Sequence, residues 1–174
     1  FRCVQGEPYP PVLAKIVQNI EDQCRTYFDD RAMPKGWKLN TCLINFYGSK
    51  IINGKKEDTA RVGEHKDFEP GPVGSISFGE RALIQFVESK GRGTQSHVVA
   101  QEWLDDSCLQ IFGGDRLKNQ LFHRVQRVEK KTGEVFEGLN TTNFETRRIN
   151  FSFRYVPEEH ILPLQQFPKT LQED

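Results

Sequence analysis

The chain has 174 residues, and its 24 Lys and Arg are balanced by 24 Asp and Glu, so the formal net charge is zero. This length suits a single domain, residues 1–174, that buries its own core without structural staples. The balanced charge excludes a strong overall field toward nucleic acid or anionic membranes. No apolar run approaches the roughly 20 residues of a membrane span. We therefore expect a soluble, intracellular monomer with no membrane partner.

The cysteines are few and scattered. Cys3, Cys24, Cys42 and Cys108 lack the paired spacing of a zinc site, and no secretory signature surrounds them. We expect reduced thiols in a reducing compartment rather than disulfides.

The first predicted element is an amphipathic helix that follows the Pro-rich GEPYPP. Its apolar residues, Leu13, Ile16, Val17, Ile20 and Cys24, recur with helical spacing. We assign this helix and a lid region to residues 8–40, a core to 41–156 and a tail to 157–174. From TCLINFY onward the pattern changes to short β-rich runs: VGSISFG, RALIQFVE, SHVVAQEW, SCLQIFGG, FHRVQRV and RRINFSFRYV. Strands in such a series predict a sandwich or barrel.

Two polar insertions interrupt the strands. GSKIINGKKEDTARVGE follows Tyr47, and EKKTGEVFEGLNTTNFET follows Val128. Both are longer than ordinary hairpin connections, and long loops in compact domains are often functional. We predict long loops at both places.

His65 and Asp67 would share one face if their segment is a strand, which would supply two ligands of a metal site. Three histidines remain as candidates for a third ligand. His160 lies in a Pro-flanked tail, and His97 starts a strand beside a Gly-rich turn. His123 lies on a strand that shortly precedes the last one. Two histidines and one carboxylate are typical of a non-haem Fe(II) site with open coordination positions.

The last predicted strand, RINFSFR, places Arg148, Asn150, Ser152 and Arg154 on one face. At strand rise the two arginine Cα atoms are about 20 Å apart, and side chains leaning inward would leave a gap of about 6–8 Å. That gap suits a short dicarboxylate, which guanidinium groups can bind bidentately. The alternative is an edge strand whose polar face meets water.

The TCLINFY strand carries a matching polar pair. Leu43, Asn45 and Tyr47 share a face, and the last two can hydrogen-bond an anion. The alternative is a buried Asn and Tyr that are satisfied within the core.

The order Asn-x-Tyr, His-x-Asp, His and Arg-x5-Arg resembles the AlkB family of Fe(II)/2-oxoglutarate dioxygenases. The segments CLINFY, HKDFE, SISFGERALIQF, GGDRLKNQLFHRV and RRINFSFR resemble those of the family in the same order, from about residue 39 to 155. The resemblance implies a mainly β fold with flanking α structure, a double-stranded β-helix (jelly-roll) core behind an N-terminal helix. It implies iron held by His65, Asp67 and His123, and 2-oxoglutarate held by Asn45, Tyr47, Arg148, Asn150 and Arg154.

The resemblance also implies an activity, the oxidation by O2 of alkyl groups on nucleobase nitrogens in DNA or RNA, with loss of the carbon as an aldehyde. Glu69 falls where the family often places an acidic residue near the exocyclic amine of the base, and Phe68 beside it is a second substrate-contact candidate. The base would be single-stranded or flipped. Two other functions stay open: an oxygenase of proteins or small molecules, and a noncatalytic nucleic-acid-binding domain.

Basic residues cluster just after His123. Arg124, Arg127, Lys130 and Lys131 are candidate phosphate contacts. The alternative is a solvated hairpin with ordinary surface charge.

Overall fold

A computed structural model of the chain describes residues 2–88, 96–126 and 136–167. These residues form one α-helix, α1 (Pro11–Tyr27), one π-helix (Asp115–Gln120) and short 3-10 helices. Their strands are β1 (Cys3–Val4), β2 (Thr41–Ile52), β3 (Lys55–Asp58), β4 (Val62–His65), β5 (Val73–Gly79), β6 (Ala82–Glu88), β7 (His97–Leu104), β8 (Cys108–Phe112), β9 (Phe122–Gln126), β10 (Phe144–Arg154) and β11 (Ile161–Leu162).

Two antiparallel sheets make the body of the fold. The larger has the strand order β3-β2-β10-β5-β8, and the smaller has the order β4-β9-β6-β7. Apolar side chains from both sheets meet between them, including Val73 and Phe112 from the larger sheet and Ile84, Phe86 and Leu104 from the smaller. This mainly β architecture, with its N-terminal helix, confirms the predicted jelly-roll fold. β1 and β11 pair separately and in parallel.

A second apolar cluster joins α1 to the outer face of the larger sheet. Val17, Ile20 and Cys24 from α1 pack with Phe153 of β10, and Trp37 and Leu39 complete the cluster. The helix begins at Pro11. Proline is tolerated there because the backbone nitrogens of the first turn have no hydrogen-bond partner within the helix. Because β10 alternates, Phe153 faces α1 while Asn150 and Ser152 face the space between the sheets.

The first insertion is not the long loop that the sequence predicted. β2 continues to Ile52 and returns as β3, and the turn between them is Asn53-Gly54, with φ values of 51° and 73°. Both residues at positive φ are typical of a type I′ hairpin turn, for which Asn-Gly is the preferred pair. The second insertion is described only from Phe136, since residues 127–135 lie outside the described parts of the chain. Its described part contains a 3-10 turn, Glu137–Leu139, and its last three residues already belong to β10, which begins at Phe144.

β10 contains a bulge between Thr146 and Arg148 in its pairing with β2. The extra residue, Arg147, is buried and lies near Glu80, Asp58 and Glu145 at 3.3, 3.4 and 3.7 Å. Because a bulge changes the direction in which neighbouring side chains point, Arg147 and Arg148 have different surroundings. Of Arg147 and Arg148, only Arg148 lines the cavity between the sheets.

Cys3, Cys24, Cys42 and Cys108 are free cysteines in the structure. None of the helices in residues 2–88, 96–126 and 136–167 is long and apolar enough to cross a membrane.

Candidate active site

His65 and His123 lie opposite each other on adjacent strands. They are register partners in the antiparallel pair β4 and β9, and their ring centroids are 4.2 Å apart. Asp67 follows β4, which ends at His65 and so does not extend to Asp67 as the predicted strand did. One ligand atom from each of these three residues lies within 4.8 Å of the others. The structure therefore brings together a group that could hold a metal ion.

The side chain of Asp67 is almost fully buried and is surrounded by positive or potentially positive groups. Its Oδ1 accepts a hydrogen bond from Arg154 Nη2 at 3.0 Å, and Lys118 Nζ lies 3.4 Å from its Oδ2. His65 Nε2 and His123 Nε2 lie 3.9 and 3.8 Å from the carboxylate. Burial alone would raise the pKa of Asp67, but Arg154, Lys118 and the histidines lower it below its usual value. The carboxylate is therefore ionised and available as a metal ligand.

The two imidazoles are also prepared for coordination. His65 Nδ1 lies 2.8 Å from the carbonyl oxygen of Gly63, so Nδ1–H can donate there and leave the Nε2 lone pair toward Asp67. Burial lowers the pKa of His123 to about 4, although Asp67 opposes the shift. His123 is therefore neutral at physiological pH, as a metal ligand must be.

A network of polar side chains lies beside the group formed by His65, Asp67 and His123. Asn150 Oδ1 accepts hydrogen bonds from Ser75 Oγ at 2.9 Å, Ser77 Oγ at 3.0 Å and Arg148 Nη2 at 3.1 Å. Its amide nitrogen donates to Ser152 Oγ at 2.8 Å. All four hydrogen bonds are consistent with a single orientation of the Asn150 amide. The network therefore holds the Arg148 guanidinium against side chains of β5 and β10.

Arg148 also stacks on Tyr47, with its guanidinium carbon 4.8 Å from the ring centroid. Burial lowers the pKa of Arg148, and Tyr47 opposes this shift. The Arg148 Nε–H is buried, and no hydrogen-bond partner for it lies in the described parts of the chain. An unsatisfied donor on a buried cation is costly to leave unpaired. This Nε–H is available to donate to a ligand in the cavity.

Arg148 and the metal group line one cavity of about 270 Å³ between the sheets. Its walls carry the residues that sequence reasoning placed on the two polar strand faces, Asn45, Tyr47, Arg148, Asn150, Ser152 and Arg154, together with His65, Asp67 and His123. The sequence predicted that Arg154 would be free to bind an anion together with Arg148. In the structure Arg154 already donates a hydrogen bond to Asp67, and its Nε lies 3.9 Å from Glu69 Oε2.

A second cavity, of about 600 Å³, opens at the outer side of the metal group. Leu43, Phe68 and Phe122 give it apolar walls, and Glu69 lines it with His65 and Asp67. Phe68 is 80% exposed, whereas the Glu69 side chain is largely buried. We define these residues, Leu43, Phe68, Phe122 and Glu69, as the mouth. The volume of this second cavity is about twice that of the inner cavity.

The predicted phosphate contacts are placed only in part. Arg124 Nε donates to Gln85 Oε1 at 3.0 Å, and its Nη1 lies 3.5 Å from Glu64, so the side chain already has partners within the smaller sheet. Arg127, Lys130 and Lys131 lie outside the described residues.

Sequence reasoning missed several residues of the site. Ser75 and Ser77 alternate with Ile76 and Phe78 in VGSISFG, and this spacing could have placed them on the cavity face. Lys118 gives no such signal, because a lysine in a polar segment is ordinarily exposed.

Residues 2–154 match a family described as the 2OG-Fe(II) oxygenase superfamily. No curated protein matches the chain. Among solved structures, one titled "The structure of OsALKBH1" is similar with a TM-score of 0.54 and 23% identity, and the match covers 85% of this chain. The match spans 65% of that longer protein. At this identity the likeness shows the fold alone, which is that of an AlkB homologue.

Proposed function

Because the chain belongs to the 2OG-Fe(II) oxygenase superfamily, we propose that it removes alkyl groups oxidatively from nucleobases in DNA or RNA. The enzyme class is that of the family, a dioxygenase that uses Fe(II), 2-oxoglutarate and O2. The substrate and the residue roles are the proposal. The observation that carries it is the mouth, where three apolar side chains and the Glu69 carboxylate lie beside the metal group in a cavity that Lys66 and Arg154 also line.

We assign Fe(II) to His65, Asp67 and His123, because their ligand atoms cluster, the low pKa of Asp67 keeps its carboxylate charged and the low pKa of His123 keeps its imidazole neutral. Bound there with 2-oxoglutarate and O2, the iron supplies the oxidising power that hydroxylates a C–H bond and yields succinate and CO2. His65 at the end of β4, Asp67 just after that strand and His123 on β9 would hold the metal.

We assign 2-oxoglutarate to Asn45, Tyr47, Arg148, Asn150 and Arg154. The unpaired Nε–H of Arg148 supports this assignment, since a carboxylate would satisfy it. Asn150 and Ser77 hold the guanidinium from behind and keep its orientation fixed. Burial strengthens the pairing by excluding water.

In the mouth, Phe68 and Phe122 would contact the faces or edges of a planar base, and Glu69 would accept a hydrogen bond from an exocyclic amine. After hydroxylation, the new O–H group lies on the carbon attached to nitrogen. Its proton moves to the ring nitrogen while the C–N bond breaks, which releases an aldehyde and the restored base.

Phosphate contacts by Arg127, Lys130 and Lys131 remain part of the proposal. Arg124 is the weaker member of this set, because its guanidinium is bound to Gln85 and Glu64. A surface of this kind would make oligonucleotide affinity fall with added salt.

The test is mass spectrometry of methylated DNA and RNA oligonucleotides incubated with the protein, Fe(II), 2-oxoglutarate and ascorbate. We expect loss of a methyl group from at least one base type, and no loss with Glu69→Ala on that base. Succinate formation that no oligonucleotide stimulates would favour an oxygenase of proteins or small molecules. No iron-dependent turnover at all would favour noncatalytic nucleic-acid binding.

A further inference from the structure

Lys118 is an unusual residue in this fold because it is 5% exposed and its Nζ makes no hydrogen bond in the described parts of the chain. Lysines are almost never so deeply buried unless they are paired. The partner of Lys118 is Asp67, whose Oδ2 lies 3.4 Å from Nζ. The ammonium is therefore held against a metal-ligand candidate, although none of the roles above requires it.

The local backbone turns Lys118 inward. Gly114, at a φ of 75°, precedes the π-helix Asp115–Gln120, which is closed by the bond from Leu121 N–H to Arg116 O. The Asp115 carboxylate accepts hydrogen bonds from the side-chain amides of Asn119 and Gln120. Within this helix Arg116 is exposed and Lys118 is buried. Short π-helical turns occur frequently at functional sites.

The two oxygens of Asp67 have different surroundings. Oδ1 accepts a hydrogen bond from Arg154, whereas Oδ2 accepts none from the described residues. Oδ2 faces both Lys118 and His123, at 3.4 and 3.8 Å. A divalent ion bound by Asp67 and His123 would share this carboxylate with a buried positive charge. Like charges at such short range oppose each other strongly where water is excluded.

We propose that Lys118 is a positioning residue of the metal site, which holds Asp67 in the metal-free protein and competes with the divalent ion for its carboxylate. Lys118 thereby keeps the site ordered before loading and weakens the metal affinity. This inference rests on the assignment of His65, Asp67 and His123 as metal ligands.

The test is titration of the metal-free protein with Co(II) alone, followed by calorimetry and by visible absorbance. Lys118→Met keeps the apolar stem and removes the charge, so we expect Co(II) to bind at least about tenfold more tightly than to the wild type. Lys118→Arg keeps the charge and should bind no more tightly than the wild type. Arg116→Met removes an exposed charge from the same helix and should stay within about twofold.

The melting temperature provides a second reading. Metal-free Lys118→Met should melt below the wild type, because Asp67 loses its neighbouring charge, and saturating Co(II) should remove most of the difference. If Lys118→Met does not fold, Lys118→Gln removes the same charge while keeping a polar group, and it should also bind Co(II) more tightly.

Two failures can be told apart. If Co(II) binding is absent, or is the same in His65→Ala, the proposed metal site is wrong. If binding depends on His65 but is equal or weaker in both charge-removing variants of Lys118, the site stands and the competition by Lys118 is wrong.

Discussion

His123 links the electrostatics of the site to the stability of the fold. Burial lowers its pKa to about 4, whereas an unfolded histidine titrates near 6.5. Between these values the unfolded chain binds more protons than the folded one, so the free energy of unfolding falls as the pH drops from about 6.5 to about 4.

We therefore predict that the metal-free protein loses roughly 1–3 kcal/mol of unfolding free energy between pH 7 and pH 4.5 through this residue. Urea unfolding of the wild type and of His123→Gln at both pH values measures it, and the variant should lose less. His97→Gln, at the exposed start of β7, is the matched control and should behave as the wild type does. An equal pH dependence in His123→Gln would contradict the prediction.

Arg148 and Arg147 are neighbours with different surroundings, which makes them a matched pair. Arg148 lines the inner cavity, whereas Arg147 lies among Glu80, Asp58 and Glu145. Arg148→Lys replaces a planar guanidinium, which can bind a carboxylate through two hydrogen bonds, by an ammonium group that cannot. We predict that Arg148→Lys raises the KM for 2-oxoglutarate by about tenfold or more. A change of this size corresponds to the loss of one hydrogen bond to a charged group.

Arg147→Lys should leave this KM within about twofold, since its effect falls on stability through a buried ion pair. Steady-state succinate formation at varied 2-oxoglutarate concentration gives both values. Equal KM changes in the two variants would mean that Arg148 has no specific role in binding the cosubstrate.

At the scale of the element, α1 rests directly on β5. A Cβ added to Gly74 would lie 2.7 Å from Ile20 Cγ2, which is closer than packed atoms tolerate. We predict that Gly74→Ala lowers the free energy of unfolding by about 1–3 kcal/mol, because Ile20 is forced out of place.

A double-mutant cycle tests this cause. Ile20→Ala alone leaves a gap in the packing, but in combination with Gly74→Ala it makes room for the new methyl group. The double variant should therefore lose less free energy of unfolding than the sum of the losses in the two single variants. Gly63→Ala is the control in another strand, since nothing lies within 4 Å of its added Cβ. Strictly additive losses would show that Gly74 does not support α1 through Ile20.

Elements with regular alternation were predictable from the sequence, and interruptions of that pattern were not. RINFSFR alternates without a break from Arg148 to Arg154, so the face that lines the cavity could be read directly. The bulge at Arg147 has no mark in the alternation. The Asn53-Gly54 turn did carry a recognisable signal, but the polar residues around it favoured a loop.

At the scale of the whole molecule, the sequence could not show which strands become neighbours. His65 and His123 are 58 residues apart in the chain, and only the pairing of β4 with β9 makes them register partners. The buried position of Lys118 likewise depends on Asp67 and on the π-helix, which are long-range and local features that no single residue pattern contains. The resemblance to a known family, rather than periodicity, supplied the jelly-roll prediction.

The most direct test of the central claim is the ratio of succinate to formaldehyde formed from an N-methylated oligonucleotide. We predict about one succinate for each formaldehyde, because each dealkylation consumes one 2-oxoglutarate. His65→Ala should form neither product above background. Formaldehyde that persists in His65→Ala, or succinate formed by the wild type with no formaldehyde and no loss of methyl groups, would contradict the claim.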